Sequence, residues 1–166
     1  MFKKCTFLLV FLLTACGWHF KTSERFPEEL RTLHYESSDM YSDMSRVLRN
    51  ELVLSGITVL PSEDKSPVAT LRLNSAENSS AVASVFKQAR EAQKILNITV
   101  KATMTIPEKG SYPLEVTVHR TFFDDSRAAL AKSEERDVII NQMYEQASRQ
   151  LLVKMAGLQK ELSESK

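Results

Sequence analysis

A strict alternation of apolar and polar residues marks the middle of the chain as β-structure. Over residues 96–106 every even position is apolar and every odd position is polar, which predicts a strand with one buried face and one wet face. Residues 107–110 predict a turn, and the alternation resumes over 112–123. A weaker pattern over 68–86 predicts a third long strand, interrupted near residue 79. The inward residues of the two clearest strands are Leu96, Ile98, Val100, Ala102, Met104 and Ile106, then Tyr112, Leu114, Val116, Val118 and Phe122.

Two other segments place apolar residues at helical spacing. The first covers about 40–55 and ends at Gly56, and the second covers about 133–158 and begins at the candidate N-cap Ser133. Short strands are predicted over 31–36 and 57–60. The apolar stripes consist of Met44, Val47, Leu48 and Leu52 in the first helix, and of Ile140, Met143, Tyr144, Ala147, Leu151, Met155 and Leu158 in the second.

This order of elements predicts an α+β fold with two layers. Two amphipathic helices can cover one face of a mainly antiparallel sheet. The other face is too polar for a second buried layer, so it either meets water or lines a wet interface. Its residues are Thr99, Lys101, Thr103, Thr105, Glu115, Thr117 and His119.

The N-terminal segment has the order of an export signal. Lys3 and Lys4 precede a short apolar run over 7–13, which is shorter than the roughly 20 residues of a membrane-spanning helix. An ordinary signal peptide or a signal anchor would share these features. The sequence Leu-Thr-Ala-Cys over 13–16 resembles a bacterial lipobox, which predicts removal of residues 1–15 and lipid attachment at Cys16. In the sorting rule of such lipoproteins, Gly17 predicts the outer membrane.

Removal of the signal leaves 151 of the 166 residues, enough for one domain with a proper core. We predict a lipidated N-terminus and linker over 16–30, the domain over 31–160 and a short tail over 161–166. The formal charge changes from +1 to −1 when Lys3 and Lys4 leave, which argues against general binding of nucleic acid.

No residue pattern points to a metal, a cofactor or catalysis. Cys5 leaves with the signal and Cys16 carries lipid, so no cysteine ligand remains, and the three histidines lack metal-ligand spacing. The four glycines are scattered, and no nucleophile elbow is present. Asp124 and Asp125 resemble a carboxylate pair, but adjacent side chains point apart, which favours a turn or helix cap. We therefore expect a protein that is not an enzyme and binds no cofactor beyond a covalent lipid.

One basic cluster could bind a ligand. Lys87, Arg90 and Lys94 lie between two predicted strands, at a hairpin tip whose base carries Val85 and Phe86. Cations above an apolar strand end suit an amphiphile with anionic groups, such as a phosphorylated sugar on acyl chains. Lysine and arginine are also ordinary in solvated turns, and the residues alone favour that reading.

Several short motifs, in their order and spacing, are similar to those of the lipopolysaccharide-assembly lipoprotein (LptE) family. They extend over nearly the whole mature chain: Cys-Gly-Trp-His over 16–19, the helix segment over 45–52, Ile106-Pro107, Tyr112-Pro113, the runs 120–124 and 129–132, and Met143-Tyr144.

The resemblance implies two helices packed against a four-stranded sheet and a non-enzymatic role. It implies that the protein plugs the outer-membrane barrel LptD, supports its assembly and binds lipopolysaccharide. By motif, Lys87 and Lys132 correspond to the family's lipopolysaccharide-binding residues, whereas Arg90 and Lys94 match no family pattern and are candidates only through the charge cluster. An accessory lipoprotein of general barrel assembly and a periplasmic lipid-binding shuttle are the alternatives.

Overall fold

The computed structural model describes residues 26–61, 63–86 and 91–164. Its sheet has five strands in the order β2-β1-β3-β4-β5. β3, β4 and β5 form an antiparallel meander, and β1 joins it in parallel between β3 and β2. The strands are β1 (Thr32–Ser37), β2 (Thr58–Leu60), β3 (Ala69–Phe86), β4 (Glu91–Ile106) and β5 (Gly110–Asp125).

Two α-helices form the second layer, α1 (Asp43–Leu54) and α2 (Ala129–Glu164). The Ser42 hydroxyl caps α1 by accepting a hydrogen bond from the amide of Ser45, and Gly56 follows the helix with a φ of 81°. α2 packs on β5 and on α1. The predicted two-layer α+β fold is confirmed.

The sheet has five strands, whereas the family resemblance implied four. The additional strand is β2, which pairs with β1 through only three residue pairs at the sheet edge. The alternating pattern had predicted a short strand at this position, and β1 gives it a parallel partner. The long ladders are antiparallel, while both ladders of β1 are parallel.

The register of the central strands is as predicted. The six even residues over 96–106 are all buried, and Leu114, Val116, Val118 and Phe122 of β5 are buried beside them. From the other layer, Met143, Ala147, Leu151 and Met155 of α2 are fully buried. The core therefore lies between the helices and one face of the sheet, as the period-two and helical patterns require.

The packed part of the chain begins earlier than the predicted domain. Phe26 and Leu30, both assigned to the linker over 16–30, belong to the hydrophobic core. A single 3₁₀ turn (Glu28–Leu30) directs Leu30 inward, and the side chain of Arg31 donates a hydrogen bond to the Phe26 carbonyl at 3.3 Å. One turn contains no repeat of apolar positions, so periodicity could not reveal it.

Three strands continue well past the end of β1. β1 pairs with β3 only up to Ser37 opposite Leu73, and a bulge follows between Leu73 and Ser75. Beyond it, residues 75–86, 91–101 and 115–125 form a three-stranded extension of the sheet. The residues of β3 over 76–83 are all exposed, so the free end of this extension presents its side chains to the surroundings.

Candidate functional site

The structure places Lys94 inside β4 and not in a turn. β4 begins at Glu91, five residues before the predicted start at residue 96. Lys94 pairs with Val82 of β3 and with Phe122 of β5, so these three side chains share the helix-facing side of the extension. The placement of Lys94 at a hairpin tip was therefore wrong. A cation at an inward position does not fit the apolar pattern, so the pattern predicts a strand that begins only at residue 96.

Lys132 approaches the same place from the other layer. It lies in the first turn of α2, and its Nζ is 5.6 Å from the centroid of the Phe122 ring. This distance is that of a cation–π contact, which holds the ammonium group over the ring. The fold therefore brings two of the candidate residues, Lys94 and Lys132, to one aromatic side chain.

Each of the two lysines has a carboxylate partner. Lys94 Nζ lies 2.5 Å from Asp124 Oδ2, and each side chain in this pair is about one-third exposed (34% and 33%). Lys132 Nζ lies 2.7 Å from Glu135 Oε2, three residues along α2. We call these five residues the tip cluster: Lys94, Phe122, Asp124, Lys132 and Glu135.

A tight chain reversal after β5 positions Lys132. Asp125 Oδ1 accepts a hydrogen bond from the amide of Arg127 at 2.9 Å and so caps the 3₁₀ turn Ser126–Ala128, from which α2 continues. The hydrogen bonds from the Arg127 side chain and backbone hold the pKa of Asp125 below its usual value. Asp125 thus acts as the predicted cap, whereas Asp124 lies in β5 and pairs with Lys94.

Apolar side chains surround the tip cluster. Val82 and Val85 of β3 are 60% and 59% exposed, and their register with Lys94 and Ala92 puts them on the helix-facing side. Leu130, in the first turn of α2, is also exposed. The free end of the extension therefore combines ammonium groups with accessible apolar surface.

Three of the predicted site residues, Cys16, Lys87 and Arg90, lie outside the described residues. No pattern in the sequence predicts that Asp124 and Glu135 are partners of the lysines, or that Phe122 is their common neighbour. The spacing of Lys132 and Glu135 on a helix could have revealed one pair. The Lys94–Asp124 pair required the register of β4 and β5, which no local pattern contains.

A polar cleft of about 400 Å³ lies in the described structure where the β3 bulge faces the start of α1. Its lining includes Ser37, Asp39, Ser42, Asp43 and Asn74, so it does not suit acyl chains. Within the described residues, no cluster of three or more histidine, cysteine or acidic residues could hold a metal ion. None of the described helices is both long and apolar enough to cross a membrane.

The LptE family model, described as lipopolysaccharide-assembly, matches residues 30–155. The chain belongs to the LptE family. It is 35% identical over 148 residues to the LPS-assembly lipoprotein LptE of Pectobacterium atrosepticum, with coverage of 89% of this chain and 80% of the relative. The LPS-assembly lipoprotein LptE of Yersinia pestis is 36% identical over 145 residues, with coverage of 87% and 70%.

Solved structures of lipoproteins share the fold of this LptE-family chain. Rare lipoprotein B of Shewanella oneidensis has a TM-score of 0.71 at 28% identity, with coverage of 80% of this chain and 98% of the other. Lipoprotein B of Nitrosomonas europaea has a TM-score of 0.61 at 18% identity, with coverage of 86% and 93%, which shows the fold alone. The names of the relatives describe an assembly lipoprotein, which confirms the prediction that the chain is not an enzyme.

Proposed function

We propose that this protein is an outer-membrane lipoprotein, anchored on the periplasmic side through Cys16, that plugs the LptD barrel, supports its assembly and binds lipopolysaccharide on its way to the outer leaflet. The tip cluster is the observation that carries the binding role. Lys94 and Lys132 meet at Phe122 on the free end of the sheet, beside exposed valines. Ammonium groups suit phosphates and acidic sugars, and the apolar surface suits acyl chains.

The position of the tip cluster supports contact with a large ligand. It lies at the free end of the three-stranded extension, where the residues of β3 over 76–83 are exposed. Lys87 and Arg90 follow β3 directly in the sequence and lie outside the described residues. We propose that an amphiphile with several charged groups contacts the tip cluster and these residues together.

The polar face of the sheet supports the plug role. Its side chains point away from both helices, and Lys101, Thr105, Glu115, Thr117 and His119 are exposed. Hydroxyl pairs extend along this face: the Oγ1 atoms of Thr99 and Thr117 are 3.3 Å apart, and Thr105 and Ser111 are 3.0 Å apart at their hydroxyls. A surface of this chemistry fits a hydrated interface such as the wall of a water-filled barrel.

The test of the binding role is lipopolysaccharide binding by the purified full-length protein, with Lys87→Glu and Lys132→Glu combined in one variant. Each reversal replaces attraction by repulsion, so we expect binding to weaken by more than about tenfold at low salt. The difference should shrink at high salt, because exposed charges are screened beyond about 8–10 Å. Unchanged binding by the correctly folded double variant would contradict the role of these lysines.

A matched control is the double variant Lys65→Glu with Lys154→Glu, which changes the charge equally at exposed positions outside the tip cluster and the polar sheet face. It should bind lipopolysaccharide like the wild type. The partner is tested separately by purification from outer membranes, where we expect LptD to copurify with the wild type and with both variants. Recovery of the general barrel-assembly machinery in place of LptD would favour the accessory-lipoprotein alternative.

A further inference from the structure

The tip cluster has no net charge, although it contains two lysines. Asp124 neutralises Lys94 and Glu135 neutralises Lys132, at 2.5 Å and 2.7 Å respectively. An anionic ligand that arrives at this surface therefore meets two completed ion pairs. The two carboxylates therefore compete with such a ligand for the donors of the ammonium groups.

We propose that Asp124 and Glu135 are exchangeable counter-ions, displaced by phosphate groups of the ligand, and that they restrict the site to multiply charged anions. The inference rests on the proposed binding function and adds the residues that determine its selectivity. A phosphate monoester carries about 1.5–2 negative charges at pH 7, whereas a carboxylate carries one. It also offers three acceptor oxygens, so it can replace a carboxylate where a singly charged group cannot.

The geometry around Lys132 suits such an exchange. Its ammonium group is held by the Phe122 ring as well as by Glu135, so it keeps its position when the carboxylate moves away. The Glu135 side chain is 50% exposed and can turn into solvent. Ion pairs at this spacing on a helix surface are weak, so little is lost when this one opens.

The pair of Lys94 and Asp124 is the stronger of the two barriers. The Asp124 side chain is 33% exposed and that of Glu135 is 50% exposed, so water screens the charge of Asp124 less than that of Glu135. Removal of the Asp124 charge should therefore have a larger effect on ligand binding than removal of the Glu135 charge. A general change in protein charge would alter ligand affinity equally in the two variants. A larger gain in affinity for the Asp124 variant is therefore specific to exchange at the tip cluster.

The experiment compares lipopolysaccharide binding by four forms of the full-length protein at low salt: wild type, Asp124→Asn, Glu135→Gln and the control Glu145→Gln. Glu145 is an exposed carboxylate further along α2 that is paired with Arg149, outside the tip cluster and the polar sheet face. Each variant removes one negative charge. We expect Asp124→Asn to bind about three- to fivefold tighter than the wild type, which is the range expected for a partly exposed ion pair. Glu135→Gln should gain less, and Glu145→Gln should match the wild type.

A double variant tests whether the gain in affinity of Asp124→Asn depends on Lys94. Lys94→Gln combined with Asp124→Asn should lose the gain of Asp124→Asn, because no ammonium group remains to be released. Inorganic pyrophosphate as a competitor distinguishes the source of the phosphate. Competition at micromolar concentration would show that free phosphates suffice and would overturn the assignment to a lipid phosphate, whereas competition by lipopolysaccharide alone supports it.

The outcomes separate this inference from the proposed function. If the lysine reversals at residues 87 and 132 leave lipopolysaccharide binding unchanged, the proposed binding function is wrong. If those reversals weaken binding but Asp124→Asn and Glu135→Gln bind no tighter than Glu145→Gln, the binding function stands and counter-ion exchange is overturned. Glu135 is exposed on the helix surface, so its variant remains informative even if Asp124→Asn fails to fold.

Discussion

Thr99 and Val100 are neighbours in β4 with opposite surroundings. Val100 is fully buried against the helices, whereas Thr99 faces away from them and pairs with Thr117. A carboxylate at residue 100 would lie in the core without a partner, so Val100→Asp should lower the free energy of unfolding by several kcal/mol. Thr99→Asp should change it by less than about 1 kcal/mol. Thermal unfolding measures both, and similar melting temperatures would contradict the strand register.

Tyr35 gives a residue-level prediction about alkaline pH. Burial raises the pKa of its hydroxyl above the ordinary value of 10.0, partly offset by the nearby Ser45 and Ser37 side chains and by the charge of Arg49. The unfolded chain therefore loses this proton first as the pH rises. Stability from the protonated hydroxyl is complete below pH 10 and falls as the pH rises from there towards the folded-state pKa.

The test for Tyr35 is the pH dependence of urea unfolding, wild type against Tyr35→Phe. The phenylalanine variant should lose less stability between about pH 9.5 and 11, because it has no hydroxyl to ionise in the unfolded state. At pH 7 the two proteins should differ by no more than about 1 kcal/mol, because the buried Tyr35 hydroxyl has no hydrogen-bond partner to lose. Parallel curves over the alkaline range would show that Tyr35 does not contribute to the alkaline loss.

At the scale of elements, alanine substitutions at two glycines test the backbone conformation of a turn and of a helix. Gly110 begins β5 with a φ of +103°, a conformation that side chains rarely adopt, whereas Gly157 lies within α2. Gly110→Ala should destabilise the protein by about 1–3 kcal/mol through backbone strain in the β4–β5 turn. Gly157→Ala should stabilise it by about 0.5–1 kcal/mol, because an added Cβ meets nothing within 4 Å and alanine favours the helix.

The two glycine variants form a matched pair, since each adds one methyl group with no steric contact within 4 Å. Urea unfolding of both proteins under one condition gives the two free-energy changes. We expect the two changes in the free energy of unfolding to have opposite signs. A loss of stability in both variants would mean that residue 157 is not in regular helical conformation.

At the scale of the whole molecule, the sequence predicts that the packed domain is tied to the membrane through Cys16. Cys16→Ser should leave an unprocessed precursor, and labelled palmitate should enter only the wild-type protein. Fractionation tests the address inferred from Gly17, and we expect the processed wild type in outer-membrane fractions. Equal label in both proteins would exclude lipidation at Cys16, and recovery in inner-membrane fractions would exclude the predicted address.

The sequence alone determined the type and order of the main helices and strands among the described residues, and the buried faces of β4, β5 and α2. Over 96–106 a period of two predicts which residues face the core, and in α2 a period of 3.6 predicts the buried stripe. These patterns are local, so they can be interpreted without knowing which other element packs against the segment. The family motifs likewise extend over most of the chain, which is why the family could be recognised from them.

Only the tertiary structure decided which elements meet. The pairing of Lys94 with Asp124 depends on the register of β4 and β5, and the position of Lys132 over Phe122 depends on the reversal at Asp125 that starts α2. The burial of Phe26 and Leu30 depends on a single 3₁₀ turn. Such contacts join residues that are distant in sequence or lie outside any repeat, so no local period encodes them.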